Sequence, residues 1–112
     1  MNEISFDDFL KVKICVGTVL TAEVNNELKK PSIILTIDFG EKIGIKKSSA
    51  QLQSNYSADE LVNKQILAVV NFAPKQIGKM ISEVLILGVP DEKNEPVLVL
   101  PNFKIKNGKR LY

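Results

Sequence analysis

Lys75 and Lys79 lie four residues apart across Gly78, in a stretch that reads Asn71-Phe-Ala-Pro-Lys-Gln-Ile-Gly-Lys-Met-Ile-Ser-Glu-Val84. Two ammonium groups at this spacing can each neutralise a phosphate and release its counterions. Gln76 adds an amide that both donates and accepts, and Ser82-Glu83 adds a hydroxyl beside a carboxylate. A carboxylate repels phosphate, so a functional Glu83 meets a base edge or a ribose, accepting from an exocyclic amine. The plain alternatives are solvated loop lysines and a surface ion pair between Glu83 and Lys75 or Lys79 that only orders the segment. Short apolar runs lead in (Ile66 to Val70) and out (Val84 to Leu87), each reading as a buried strand. Basic and hydrogen-bonding groups displayed on one connection of a rigid β scaffold suit binding better than reaction.

Reaction chemistry finds little material. The chain has no histidine, which removes the usual base for a serine or cysteine nucleophile and the commonest metal ligand. Ser48-Ser49 therefore lacks an activating partner, and no Ser-x-x-Lys spacing replaces it. The single cysteine, Cys15, excludes an internal disulfide and a four-cysteine zinc site. It falls inside a strand pattern and reads as a small core residue. No metal site, phosphate loop or cofactor motif stands out, so the chain is not expected to be an enzyme.

The 112 residues make one domain, residues 1–112. A chain of this size buries roughly 65% of its unfolded surface and needs no covalent staple. Net charge is only +2, from fourteen lysines, one arginine and 13 acids. Placement says more than the total. Lys104, Lys106, Lys109 and Arg110 crowd the C-terminus, and Lys42, Lys46, Lys47, Lys75 and Lys79 mark the middle of the chain. No apolar stretch approaches the ~18 residues of a membrane span. Glu3, Asp7 and Asp8 make the N-terminus acidic where a signal peptide is basic. A cytoplasmic location without membrane insertion is the resulting expectation.

The elements that must position these groups follow from pattern. Ser5-Phe-Asp-Asp8 starts a short helix, with Ser5 as N-cap and two acids in the first turn. Its apolar face (Phe6, Phe9, Leu10) lies on the domain's own barrel or on a partner subunit. Alternation from Val12 to Val24 predicts a long first strand, with Val12, Ile14, Val16, Thr18 and Leu20 on one face. Gly17 within it signals a bulge or bend. Asn25 to Pro31 is a polar connection. Ser32 to Phe39 is a second strand with Phe39 in the core, and Ile43 to Lys47 a short third with Gly44 as another bend signal. Ser57-Ala-Asp-Glu60 has capping-box spacing, which predicts a second short helix with Leu61 and Val62 on its apolar side. Lys64 to Phe72 is the fourth strand and Ser82 to Gly88 the fifth. A turn at 90–94 and a short strand at 96–100 follow. The tail carries Asn107-Gly108, a two-residue turn signal that predicts a hairpin-like extension. Five strands with a helix between the third and fourth predict an all-β, five-stranded OB-fold barrel. Phe39 and Phe72 are the residues that could stack on bases; Phe39 falls on the apolar phase of its strand and is assigned to the core, and Tyr56 is isolated, so aromatic stacking is not the strong feature.

The runs Asp38-Phe-Gly40, Gly44-Ile-Lys46, Ser48-Ser-Ala-Gln51, Val69-Val-Asn-Phe72, Pro74-Lys75, Ile77-Gly78, Ser82-Glu-Val84 and Asn107-Gly108 carry a resemblance. In this order and spacing, over Phe9 to Tyr112, the chain resembles the tRNA-binding domain family, and within it the small stand-alone CsaA-type proteins. The resemblance implies an OB-fold, a homodimer and no catalysis. It implies two roles: binding shaped parts of tRNA, and holding unfolded or export-bound polypeptides. Carried over from the family's contacts, Asn71, Lys75, Gln76, Lys79, Ser82 and Glu83 form the expected tRNA site. The corner Lys46-Lys47-Ser48-Ser49 forms its second part. Cys15 stands where the family commonly has arginine, and Lys106 replaces the usual proline before Asn107-Gly108. The histidine-containing loop of synthetase-appended relatives is absent.

The tail reads as a flexible basic arm or as a hairpin packed on a twin subunit; the Asn107-Gly108 turn and its apolar neighbours favour order. In the second reading Phe6, Phe9, Ile105 and Leu111 line a dimer groove that can also receive an apolar peptide segment.

Overall fold

The computed structural model describes residues 1–27 and 30–112. Leu28 and Lys29, within the expected polar connection 25–31, lie outside the described residues.

Ile14–Asn25 forms the long first strand, β1, and the rest of the main sheet is built on it. β2 (Ser32–Asp38) pairs antiparallel with its second half, from Thr18 to Asn25. β4 (Gln65–Val69) pairs with its first half, from Ile14 to Thr18. β3 (Ile45–Ala50) joins β2 on the outer side, and β7 (Leu85–Ile86) joins β4, giving the order β3-β2-β1-β4-β7. The sheet curls until β3 meets the chain just before β7. There the Glu83 N–H donates to the Lys47 carbonyl at 2.8 Å. A curled five-stranded antiparallel sheet of this kind, with α3 (Ala58–Leu61) between β3 and β4, is an OB-like barrel.

The core explains the strand phases. Val19, Ile33, Leu35, Ile37, Phe39, Leu61 and Ile66 are fully or almost fully buried. Cys15 is buried among them, and burial pushes its thiol above the ordinary value, against the pull of Arg110 and Lys13. Cys15, Gly17 and Val19 therefore face the core in the first half of β1; of the phase expected from Val12, Ile14, Val16 and Leu20, Val16 is buried as well and Ala22 packs against the core. Leu20 and Val24 are instead exposed. A Cβ on Gly17 would stand 2.6 Å from Ile37 Cγ2 and 2.7 Å from the Phe39 ring, so this glycine admits Phe39 to the core. The β-bulge lies further on, where the register shifts between Val19 and Thr21.

Both capping boxes form as the sequence predicts. Ser5 and Asp8 exchange bonds at the start of α1 (Phe6–Leu10), and Ser57 and Glu60 at the start of α3. Leu61 is buried, whereas Val62, expected beside it, is exposed.

Several expected elements differ. The third strand begins later: Gly40–Ile43 is a helical turn, α2, and Gly44 (φ +88°) ends it instead of bending a strand. The expected fifth strand, Ser82 to Gly88, is divided among three partners. β6 (Met80–Ser82) pairs with β5 (Lys75–Ile77), β7 with β4, and β8 (Gly88–Pro90) with β9 (Pro96–Leu98). Each change of partner needs a break in the strand. The C-terminal extension is not a hairpin on itself. After the Asn107-Gly108 turn it runs along the free side of β1, where Val16 N–H donates to the Lys109 carbonyl (2.9 Å) and Leu111 N–H to the Ile14 carbonyl (2.8 Å). Its partner strand is β1 of the same chain. No helix among the described residues is long and apolar enough to cross a membrane.

Candidate nucleic-acid interface

The Asn71–Val84 stretch, expected to be a loop, is a β-hairpin. β5 and β6 pair through Lys75–Ser82, Gln76–Ile81 and Ile77–Met80. Gly78, at φ +61°, turns the tip. Gln76 Nε2 donates to the Gly78 carbonyl at 2.7 Å and stiffens that turn. Lys75 and Lys79 are exposed and have no ion pair among the described residues.

The hairpin is anchored at both ends. At its root the Asn71 side chain bridges the link between α1 and β1, accepting from Lys13 N–H (2.9 Å) and donating to the Lys11 carbonyl (2.8 Å). Asn71 thus positions the hairpin. At the far end, Ser82, Glu83 and Val84 join β3 in a polar seam. Ser48 Oγ donates to the Val84 carbonyl at 2.8 Å and lies 3.2 Å from Ser82 Oγ. Ser49 N–H donates to Ser82 Oγ, and Ser49 Oγ to Ser32 Oγ. Glu83 Oε1 accepts from Lys47 N–H at 3.1 Å, and its Oε2 stands 3.9 Å from Lys46 Nζ. Ser48 and Ser82 are buried, so their hydroxyls hold the barrel closed.

The two groups of residues singled out in the sequence, 75–83 and 46–49, therefore meet at one place. Glu83 pairs with Lys46 and the Lys47 backbone, not with Lys75 or Lys79. Phe39 and Phe72 separate as well: Phe39 is 1% exposed, while Phe72 is 56% exposed. Phe72 lies beyond the last ladder residue of β4, Val69, where the strand pattern no longer dictates its direction. It lines a cleft of about 360 Å³ with Lys75, Ile77, Glu83 and Leu85. Among the described residues no group of three or more Cys, Asp or Glu side chains could hold a metal ion.

The apolar residues expected to line one groove fall in two places. Phe6 and Phe9 pack on each other along α1, ring centroids 6.2 Å apart. Leu111 is held beside β1 by its N–H bond to the Ile14 carbonyl, and Arg110 donates to the Leu10 carbonyl at the end of α1. Ile105 sits elsewhere. The Gln65 amide clamps its backbone, accepting from Ile105 N–H at 2.8 Å and donating to its carbonyl. There Ile105 borders a second cavity with Leu20, Leu100 and Phe103.

A family model described as "Putative tRNA binding domain" matches residues 14–110. The chain belongs to the tRNA-binding domain family. Over 99% of its length it is similar to the crystal structure of chaperone CsaA from Bacillus anthracis, at 43% identity and TM-score 0.91, covering all of that chain. The CsaA chaperone protein of Picrophilus torridus is similar at 44% identity and TM-score 0.89, over 98% of this chain and all of that one. A MetRS-related protein of Pyrococcus horikoshii follows at 26% identity and TM-score 0.88, each chain wholly covered. Among curated relatives, the methionine–tRNA ligase of Chlorobium limicola is 36% identical over 109 residues, 97% of this chain and 15% of the ligase. That of Bacteroides fragilis is 29% identical over 108 residues, 96% of this chain and 16% of the ligase. The chain thus spans about one sixth of the length of the curated relatives it matches.

Proposed function

We propose that the chain binds structured RNA, tRNA in the first place, as a non-catalytic, cytoplasmic homodimer. RNA docks on the β5–β6 hairpin and the adjoining corner of β3. The observation that carries this reading is the placement of Lys75 and Lys79, exposed and unpaired among the described residues, on a hairpin fixed to the barrel at both ends. A fixed hairpin presents charge at set positions, which suits a folded RNA whose phosphates are also at set positions. Lys75, Lys79 and Lys47 take phosphates, and Lys46 is shared with Glu83. Gln76 and Asn71 hold the hairpin's shape, and Ser48, Ser49 and Ser82 hold the seam beneath it. Membership of the tRNA-binding domain family supports the choice of ligand.

Titrating total tRNA across a salt series tests the reading. Affinity should fall steeply with salt. Changing Lys75 and Lys79 together to Ala should weaken binding and flatten the log–log salt slope by roughly two, one for each phosphate that no longer meets a lysine. Unchanged affinity and slope in the double variant would remove the hairpin from the site.

A second reading, capture of unfolded polypeptide, draws on a different surface. Phe6 is 68% exposed and Ile4 71% exposed beside α1. Two of the similar structures are described as chaperones. Apolar peptide binding there should hold or strengthen as a kosmotropic salt is raised, opposite to RNA.

A further inference from the structure

The cleft beside the hairpin has two kinds of wall. Phe72, Ile77 and Leu85 supply apolar surface; Ser49, Lys75 and Glu83 supply polar atoms. Glu83 Oε1 is held by Lys47 N–H at 3.1 Å, which fixes the carboxylate plane. Its Oε2 is 3.9 Å from Lys46 Nζ, beyond hydrogen-bond length, so its lone pairs remain open. Ser49 Oγ donates to Ser32 Oγ at 2.9 Å and so offers the cleft only an acceptor. Lys75 is the cation on this wall. A ligand that matches is flat, apolar on its faces, rich in donors along one edge and joined to an anion. Uracil fails this match, because two carbonyl acceptors flank its single N–H. Cytosine, adenine and guanine carry an exocyclic amine and pass, guanine with a ring N–H beside it.

We propose that this cleft takes one unstacked nucleobase bearing an exocyclic amine. Its face lies on Phe72, its amine donates to Glu83 Oε2, and its phosphate meets Lys75. This rests on the RNA-binding reading above and deepens it: the family-level site becomes one that discriminates at a single base. Phe72 and Glu83 are then specificity residues, and the lysines supply general affinity.

Fluorescence anisotropy with labelled hexanucleotides of cytidine, adenosine and uridine tests it, with tRNA titrated in parallel. The full chain is used, as wild type, Phe72→Leu and Glu83→Gln. The cytidine and adenosine hexamers should bind about tenfold tighter than the uridine hexamer, the size of one good base contact. Phe72→Leu keeps apolar bulk and loses the π face, and should weaken the cytidine hexamer about tenfold. Glu83→Gln is the sharper variant. Its Oε1 can keep the Lys47 N–H while its Nε2 turns an acceptor into a donor, so preference should shift towards uridine. Equal affinity for the three hexamers, with tRNA still bound, overturns the base cleft and leaves the RNA-binding reading standing. Failure of the wild type to bind tRNA at low salt overturns both. Perturbation of the Phe72 ring resonances by an aromatic tripeptide and by none of the hexamers assigns the cleft to polypeptide and overturns the proposal.

Discussion

A Cβ built on Gly17 falls 2.6 Å from Ile37 Cγ2 and 2.7 Å from two carbons of the Phe39 ring. Real side-chain carbons do not approach so closely, and both neighbours are in the core, at 0% and 1% exposure. Gly17→Ala should therefore destabilise the domain by overpacking, by about 1–3 kcal/mol. Thermal unfolding followed by circular dichroism should register a drop of about 4 °C or more for each kcal/mol. An unchanged melting temperature would mean that Phe39 can move aside at no cost. The sequence announces the glycine but not its reason. A bulge, a bend and a close approach all call for the same residue, and only the partner strand distinguishes them. Phe72 is a similar case. Strand phase in the sequence already assigns Phe39 to the core but leaves the direction of Phe72 open. The ladder of β4 ends at Val69 and leaves Phe72 facing the cleft. Lys75, Lys79 and Glu83 were legible as chemistry-bearing residues, but the partner of Glu83 was not. It lies on β3, 36 residues away at Lys47.

At the scale of elements, what was legible is what local spacing controls. Alternation locates β1, a short apolar run locates β4, and Ser-x-x-acid spacing locates α1 and α3. What was not legible depends on distant partners. The run from Met80 to Pro90 is one apolar-rich stretch in sequence and three short strands in space, because β5, β4 and β9 each claim part of it. The helical turn α2 is hidden for a different reason: three residues between two glycines, Gly40 and Gly44, give no period to read. The junction that this broken stretch makes with β3 is polar. Within it, Ser48 Oγ, at 1% residue exposure, donates to the Val84 carbonyl at 2.8 Å. Ser48→Ala removes the donor and leaves that buried acceptor with only a 3.4 Å approach from Ser82. A loss of about 1–3 kcal/mol is expected. Faster hydrogen exchange at the Glu83 and Lys47 amides should accompany it, since both bond across this junction. If exchange there stays as slow as in the wild type, the backbone bonds close the barrel without the serine.

The whole molecule poses the question of its surface. The order of elements leads to the OB-like barrel, yet it does not reveal that the last residues return to β1, roughly 95 positions earlier in the chain. That return changes what the tail can do. It completes the chain's own sheet, and removing it would uncover the side of β1 instead of merely separating two subunits. A dimer therefore has to be tested by side chains that the barrel does not need. Phe6 is 68% exposed and Leu111 42% exposed. The Arg110 bond to the Leu10 carbonyl brings their elements together at one end of β1. Two exposed apolar groups so placed can meet their own copies across a two-fold axis. Changing both Phe6 and Leu111 to Asp places like charges across that axis while leaving the tail's backbone bonds to β1 in place. Sedimentation equilibrium should give the wild type twice the chain mass of 12.4 kDa and the double variant the chain mass itself. The melting temperature of the wild type should also rise with concentration, and that of the variant should not. The monomer should still bind tRNA through the hairpin. It should do so more weakly, by up to about a hundredfold if two hairpins engage one RNA in the dimer. A wild type that sediments at the single-chain mass at every concentration, or a double variant that stays dimeric, would place the interface elsewhere or nowhere. Equal tRNA affinity in a true monomer would show instead that each barrel reads its RNA alone.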